Sequence, residues 1–161
     1  MLGLSTLHGL TVIAAWVVLL VCRSSSPVGA QELSVAKFQL KDFPTPRHGT
    51  PYSIVAGPDG NIWFTLTGEI GRVTPSGVVT ELPLPTLGET RGITVGADRN
   101  IWFTVYDANM IGRITPGGSV TLFTLPNMYS LPQGITSGPD GQLWFTQVRY
   151  ARIGRLSPKA S

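Results

Sequence analysis

The chain has 161 residues, with 12 lysines and arginines against 9 aspartates and glutamates, for a net charge of +3. Its basic residues are scattered and form no run or stripe, so the sequence predicts no nucleic-acid partner. One cysteine excludes a disulfide framework within the chain, and 19 glycines and 13 prolines at regular intervals favour short strands and tight turns over helices.

Residues 1–30 have the features of a secretory signal peptide. The run Leu10–Cys22 is apolar apart from one threonine and is shorter than the roughly 20 residues that span a bilayer. Val28 and Ala30 occupy positions −3 and −1 before Gln31, as expected at a signal-peptidase site. No lysine or arginine precedes the apolar run, so an uncleaved anchor is the alternative. We expect cleavage after Ala30, a secreted or periplasmic product, and no stable membrane anchor thereafter.

From residue 51 onward the sequence contains three copies of one pattern. Asn61–Thr65 (NIWFT) recurs as Asn100–Thr104 and, with two changes, as Gln142–Thr146. Each copy is followed by Ile-Gly-Arg, and the tryptophans at positions 63, 102 and 144 are spaced 39 and 42 residues apart. Self-similarity at roughly 40 residues predicts a repeat architecture.

Each repeat is predicted to consist of short strands separated by Gly- and Pro-containing turns. The strands are predicted at 51–56, 61–66, 69–74 and 78–84, then at 91–96, 100–105, 110–115 and 119–125, and finally at 132–137, 142–147 and 152–157. Four-stranded units of about 40–45 residues are the blades of a β-propeller. We therefore predict an all-β fold with blades over 51–90, 91–131 and 132–161.

The third predicted blade has three strands, and its missing outer strand has a counterpart near the N-terminus. Residues 31–50 are predicted to be a strand and a linker, and the strand at 35–43 matches the fourth strands Val78–Pro85 and Val120–Pro126. Three blades cannot close a ring, since propellers have about 4 to 8. We therefore expect either part of a longer protein or closure by association, with a head-to-tail homodimer as the simplest ring.

The recurring tryptophans and aspartates are interpreted as structural residues. Trp63, Trp102 and Trp144 have the same phase in each repeat, which favours packing between blades over a carbohydrate-binding platform. An aspartate with turn spacing precedes each of them and is expected to bond the turn backbone, not a metal. These aspartates are Asp59, Asp98 and Asp140.

Three consecutive motifs make up the repeat: P-x-G-I-x-x-G-x-D-G-x-[IL]-W-F-T, then I-G-R-[IV]-T-P-x-G, then a strand ending in L-P-x-P-T. Over about residues 34–158 this pattern resembles the virginiamycin B lyase, or streptogramin B lyase, family. Members of that family are seven-bladed propellers, so the chain corresponds to fewer than half of one. The resemblance implies a relative of an enzyme that opens a cyclic depsipeptide antibiotic by metal-assisted elimination across its ester.

The resemblance also identifies two recurrent functional positions. The family has a histidine at the second residue of P-x-G-I, and a glutamate used toward magnesium directly after W-F-T. Because the turn at 57–60 pairs residue 52 with 65, the two positions should meet on the rim of the central channel. In this chain the first position holds Tyr52, Arg91 and Gln133, and the second holds Leu66, Val105 and Gln147.

Neither position contains a histidine or a glutamate. An elimination needs a base and magnesium needs oxygen ligands, so we predict no catalytic residue and no metal site; magnesium is implied only if the family activity is retained. His48 in the linker and Glu69 in a shortened connection are interpreted as exposed surface residues. The candidates for ligand contacts are Tyr52, Arg91, Gln133 and Gln147.

Three functions remain open on this basis. The favoured one is a secreted, non-catalytic module that binds a small-molecule or peptide ligand, or a protein, on the rim. The alternatives are a lyase-type enzyme that is active only in a ring of more than one chain, and a truncated fragment of a longer lyase-like protein.

Export is the first testable prediction. Expressed with its own leader, the protein should be recovered outside the cytoplasm with Gln31, free or cyclised, as its first residue, because a signal peptidase would cleave after Ala30. Mass spectrometry of the N-terminal peptide measures this. Recovery of an intact Met1 in a membrane fraction would contradict it.

Overall fold

The computed structural model describes residues 39–47 and 49–158. Within them, β-strands dominate and a single turn of 3-10 helix follows the tenth strand, at Val148–Tyr150. The strands are β1 (Ile54–Ala56), β2 (Ile62–Leu66), β3 (Glu69–Val73), β4 (Val79–Pro83), β5 (Thr90–Val95), β6 (Ile101–Val105), β7 (Met110–Ile114), β8 (Val120–Thr124), β9 (Pro132–Ser137), β10 (Leu143–Gln147) and β11 (Arg152–Leu156).

The strands form three antiparallel sheets, each a simple meander. The first sheet has the order β1-β2-β3-β4, the second β5-β6-β7-β8, and the third β9-β10-β11. The motif strands keep the same register in all three, with Trp63 opposite Arg72, Trp102 opposite Arg113 and Trp144 opposite Arg155. The all-β, propeller-type repeat with partial blades is confirmed.

The hairpin before each tryptophan strand is closed by the recurring aspartate. In the second sheet, Asp98 Oδ1 accepts the backbone N–H of Asn100 at 3.2 Å and the indole N–H of Trp102 at 3.0 Å. The first and third hairpins repeat both bonds at Asp59 and Asp140. The aspartate thus bonds its own turn, as expected from its spacing, and also orients the tryptophan.

The first and second sheets pack face to face around a shared core. Trp63 and Ile70 of the first sheet are fully buried against Ile101, Phe103 and Val105 of the second. Full burial of large apolar side chains is the main stabilising term available to a chain with no disulfide framework.

The second and third sheets repeat the same interface. Trp102 and Ile111 are fully buried against Leu143 and Phe145, and the Trp102 ring also stacks on Phe123 with 5.6 Å between centroids. Each sheet therefore presents its tryptophan to the sheet that follows it in sequence. Trp63 consequently lies inside the structure, whereas Trp144 is only half-buried.

The glycine of each Ile-Gly-Arg motif is required by the packing of a neighbouring phenylalanine ring. A Cβ atom at Gly112 would lie 2.1 Å from the ring of Phe103, its cross-strand partner. Gly71 and Gly154 have the same relation to Phe64 and Phe145. The absent side chain lets the phenylalanine ring lie flat on the strand, so the glycine and the phenylalanine of the repeat are a matched pair.

The segment before the first sheet differs from its prediction. Residues 39–43, the described part of the predicted strand 35–43, form no strand. Instead, Lys41–Thr45 lie against the face of the first sheet that is turned away from the second, a surface that includes Ile54 and Phe64. The Phe43 ring lies over Gly77 at this face, which is otherwise uncovered by the described residues, so the segment covers exposed apolar surface instead of extending a sheet.

Polar contacts fix the same segment further along. The backbone N–H of Arg47 donates to Glu81 at 3.1 Å, and its guanidinium donates to Glu69 at 2.6 Å. Glu69 therefore opens β3 as a half-buried ion-pair partner, and its interpretation as an exposed turn residue is wrong. Glu69 is less exposed than expected because the Arg47 side chain lies over it.

Several predictions fall outside the described residues. These are the signal peptide at 1–30, its cleavage after Ala30, the first part of the 35–43 strand, and the placement of His48. Among the residues that are described, no helix is long and apolar enough to cross a membrane.

The unequal burial of the tryptophans generates a stability prediction. Trp63→Ala and Trp102→Ala should each lower the free energy of unfolding by about 3–5 kcal/mol, because each leaves a cavity in a closed core. Trp144→Ala should cost clearly less, since its ring is half-buried, and it serves as the matched control. Urea unfolding of the three variants gives the comparison. Equal losses at all three positions would contradict the packing described here.

A second prediction concerns acid stability. Burial alone would raise the pKa of Asp98, but hydrogen bonds from Asn100 and Trp102 outweigh it and hold the pKa below the ordinary value of 3.8. A depressed folded-state pKa gives stability that is present above the unfolded pKa and is lost as pH falls through the folded pKa. Asp98→Asn keeps an acceptor oxygen but cannot titrate. Its unfolding free energy should therefore fall less steeply than that of the wild type between about pH 4 and pH 2; parallel pH profiles would contradict this.

Candidate functional site

The first residues of the inner strands meet at one end of the sheets. β5 contacts both β1 and β9, so the innermost strands of the three sheets are neighbours. Tyr52, two residues before β1, donates its backbone N–H to the carbonyl of Thr65 at 3.1 Å. Residues 52 and 65 are therefore paired as expected, and Arg91 and Gln133 occupy the equivalent places in β5 and β9.

Buried threonines join these strands from sheet to sheet. Thr65 Oγ1 accepts the N–H of Ser53 at 3.0 Å and donates to the carbonyl of Arg91 at 2.8 Å. Thr104 Oγ1 accepts the N–H of Gly92 at 2.9 Å and donates to the carbonyl of Gln133 at 2.8 Å. Each hydroxyl thus fixes the inner strand of the next sheet at the residue of the first family position.

This alignment creates a concavity of about 250 Å³. We call it the rim pocket; it is lined by Tyr52, Arg91, Gly92, Gln133 and Gly134. Three of the four predicted ligand-contact residues therefore share one pocket. Tyr52 is 46% exposed and Gln133 is also exposed, so both are accessible from solvent.

Arg91 is the most constrained side chain of the rim pocket. Its guanidinium lies 4.2 Å from the ring centroid of Tyr106 and 5.6 Å from that of Tyr52, and it donates to Glu89 at 2.5 Å. The hydrogen bond to Glu89 raises the pKa of Arg91. Its Nε is buried without a partner among the described residues. The cation is thus held in place by an aromatic and an acidic neighbour, with a donor unused.

Glu89 and Tyr106 also contact Arg91, and the sequence alone did not identify them as part of the site. Glu89 lies two residues before Arg91 on the same side of an extended chain, a spacing that could have identified the pair. Tyr106 directly follows the second family position in the middle repeat, where the neighbouring repeats have Thr67 and Val148. Without a known register between sheets, nothing connects Tyr106 to Arg91.

The second family position does not reach the rim pocket. Leu66 and Val105 are fully buried apolar side chains, and Gln147 is buried with 9% exposure. None of the three lines the rim pocket. Magnesium prefers carboxylate and other oxygen ligands, so Leu66 and Val105 do not fit the metal that the family resemblance implies, and Gln147 offers only one buried amide oxygen. In the described part of the chain, no three His, Cys, Asp or Glu side chains are grouped as metal ligands.

The carboxylates nearest to this end of the sheets are already engaged. Glu69 pairs with Arg47 at 2.6 Å, Glu89 pairs with Arg91 at 2.5 Å, and Asp107 accepts the backbone N–H of Glu89 at 2.7 Å. Each of the three is therefore oriented by a neighbouring group through one of its two oxygens.

Comparison with known proteins places these features in a family. Residues 33–161 match the family described as the virginiamycin B lyase family. No curated protein matched.

Solved structures give the same result. Selenomethionine-substituted virginiamycin B lyase from Staphylococcus aureus is 41% identical, with a TM-score of 0.70 over 73% of this chain and 41% of that one. A catalytically inactive histidine-to-alanine form of the Staphylococcus aureus enzyme with quinupristin is 41% identical over the same shares, with a TM-score of 0.69. A streptogramin B lyase structure is 40% identical, with a TM-score of 0.69 over 73% of this chain and 40% of that one.

More distant structures share the fold alone. A gluconolactonase from Xanthomonas campestris is 17% identical, with a TM-score of 0.58 over 70% of this chain and 46% of that one.

The chain spans about two fifths of the length of the virginiamycin B and streptogramin B lyases to which it is 40–41% identical.

Proposed function

Because the chain belongs to the virginiamycin B lyase family, we propose that it is a non-catalytic binding module whose rim pocket receives a small-molecule or peptide ligand. The observation that carries this proposal is the convergence of Tyr52, Arg91 and Gln133 from three different sheets on one solvent-accessible concavity. The leader predicted over residues 1–30 would place this binding outside the cytoplasm.

The pocket chemistry suits a ligand with carbonyl groups and an apolar or aromatic portion. Arg91 has several N–H donors, Gln133 has both a donor and an acceptor, and Tyr52 offers a ring face and a hydroxyl. Glu89 and Tyr106 hold the guanidinium before any ligand arrives. Preorganisation of this kind reduces the entropy that binding must overcome.

The same residues are poor replacements for lyase machinery. An elimination requires a group that takes a proton. Neither an arginine guanidinium nor a glutamine carboxamide does so, which leaves the Tyr52 hydroxyl as the one such group among the three side chains. The second family position contributes buried leucine and valine in place of a carboxylate. Binding without turnover is therefore the function that these side chains support best.

The relatives suggest which ligand to test first. One Staphylococcus aureus structure contains quinupristin bound to an inactive histidine variant, so that protein holds a ligand without the histidine. The 41% identity also favours a second candidate function, a lyase-type ring opening of the same class of compound in a multi-chain ring. Quinupristin serves as the probe for both.

Binding can be tested by calorimetric titration of the protein with quinupristin. Arg91→Gln should weaken binding about tenfold or more, the effect of losing charge-assisted hydrogen bonds worth roughly 1.5–3 kcal/mol. Arg99→Gln is the matched control, because Arg99 is exposed in the β5–β6 turn, away from the rim pocket. Equal affinity in the two variants, or no binding by the wild type, would contradict the proposed site.

Turnover is measured in the same samples by chromatography, with and without magnesium. Elimination opens the ester ring without adding water, so a ring-opened product has an unchanged mass and a shifted retention time. We expect quinupristin to be recovered intact. Accumulation of the ring-opened product would establish the lyase-type function in place of the binding module.

A further inference from the structure

The third sheet has an apolar face that no described residue covers. We call it the third-sheet outer face; it includes Trp144, Thr146 and Ile153 and forms a shallow depression of about 350 Å³. Ile153 is 64% exposed, Thr146 is exposed and Trp144 is half-buried. An exposed apolar surface of this kind marks an interaction site.

The equivalent faces of the first and second sheets are each covered by the next sheet. The equivalent residues in the first sheet, Trp63 and Ile70, are fully buried by the second sheet. Those in the second sheet, Trp102 and Ile111, are fully buried by the third. In both examples the covering surface is the opposite face of the next repeat, which presents a phenylalanine and aliphatic side chains.

A hydrogen bond supports the same comparison. Thr65 and Thr104 each accept an inner-strand N–H and donate across the interface to a backbone carbonyl. Thr146 accepts the N–H of Gly134 at 2.9 Å, but it has no acceptor across its face among the described residues. In the repeat, the backbone carbonyl of Tyr52 is equivalent to the carbonyls of Arg91 and Gln133, which accept the hydrogen bonds of Thr65 and Thr104.

We propose that a second copy of this chain docks the outer face of its first sheet onto the third-sheet outer face. That first-sheet face carries Ile54, Ile62 and Phe64, which correspond in the repeat to Ile93, Ile101 and Phe103 of the second sheet. Ile54 is 69% exposed and Ile62 is 37% exposed. In the docked pair, Thr146 of one copy donates to the carbonyl of Tyr52 of the second copy.

Charge complementarity favours a second copy over an unrelated apolar partner. The third sheet and its helix, residues 132–158, contain Arg149, Arg152 and Arg155 but only one acidic residue, Asp140. The first-sheet region, residues 51–83, has the opposite balance, with three acidic residues and one arginine. These are Asp59, Glu69, Glu81 and Arg72. The strand register places Glu69 and Glu81 on the Phe64 side of the first sheet and Arg155 on the Trp144 side of the third. Opposite charges on the two docking faces steer head-to-tail encounter and oppose pairing of like faces.

Docking requires the segment at 40–47 to leave the first sheet. This segment is exposed over most of its length, and its main attachments are Phe43 over Gly77 and the pairing of Arg47 with Glu69 and Glu81. The Arg47 side chain is 61% exposed, so solvent screens its ion pairs even though the Glu81 side chain is only 3% exposed, and such pairs contribute little to stability. A second sheet that buries the whole apolar face can therefore displace it.

The arrangement also bears on the rim pocket. Within the chain, each threonine bond places the first-position residue of one sheet beside that of the next. The Thr146 bond would in the same way bring Tyr52 of the second copy beside Gln133, extending the rim. Because the two docking faces differ, the contact is head-to-tail, and the pair is a finite ring of six sheets when the rotation between the copies lets both interfaces form at once.

Sedimentation equilibrium of the full chain, purified after expression with its own leader, tests the proposal. We expect a concentration-dependent dimer that is lost in Trp144→Glu, which places a charge on one face, and in Ile54→Glu, which places a charge on the other. Leu87→Glu is the control, since Leu87 is 97% exposed in the β4–β5 connection and belongs to neither face. Circular dichroism and urea unfolding confirm that each variant is folded; if Trp144→Glu does not fold, Thr146→Val replaces it.

Mixing Trp144→Glu with Ile54→Glu tests whether the two faces bind each other. Trp144→Glu retains an intact first-sheet face and Ile54→Glu retains an intact third-sheet face, so an equimolar mixture should recover a heterodimer through one interface. A monomeric wild type at every soluble concentration would overturn the proposal. So would folded single variants that dimerise like the control, or a mixture that stays monomeric while the wild type dimerises, because pairing would then use other surfaces.

Discussion

The packing of one tryptophan against the next sheet is the interaction on which the rest of the structure depends. Trp63 and Trp102 are fully buried, each anchored through its indole N–H to the aspartate of its own hairpin. The opposing Phe103 lies flat on Gly112, which allows the two sheets to approach closely. With a single cysteine in the chain, this repeated contact has to hold the sheets together without a disulfide framework.

The rim pocket is a consequence of that packing. Once the sheets are in contact, Thr65 and Thr104 fix the height of the next inner strand through its backbone carbonyl. Arg91 and Gln133 then lie beside Tyr52, although some 40 residues separate them along the chain. Glu89 and Tyr106 complete the arrangement by holding the guanidinium. A surface suited to binding thus arises from contacts whose first effect is structural.

The outer faces of the first and third sheets are covered to different extents. At the first sheet, Phe43 and Arg47 bring a preceding segment over the apolar face, which leaves Phe64 only 8% exposed. At the third sheet, Ile153 remains 64% exposed and Trp144 half-buried. The same repeat chemistry therefore gives one surface that a preceding segment covers in part, with Ile54 still 69% exposed, and one that no described residue covers. This asymmetry has no counterpart in the repeat pattern itself.

The sequence by itself determined the local features: three repeats, the strands in each, the turn role of the aspartates, and the membership of Tyr52, Arg91 and Gln133 in one equivalent position. Alternating side chains and turn residues act over a few neighbours, so their pattern is readable without coordinates. Only the tertiary structure decided which face of each sheet is covered, and hence why Trp63 is buried while Trp144 is not. It also decided that Tyr106 meets Arg91 and that Lys41–Thr45 cover the first sheet. These outcomes depend on contacts between residues far apart in the chain, where burial of apolar area and the pairing of charges outweigh local preference.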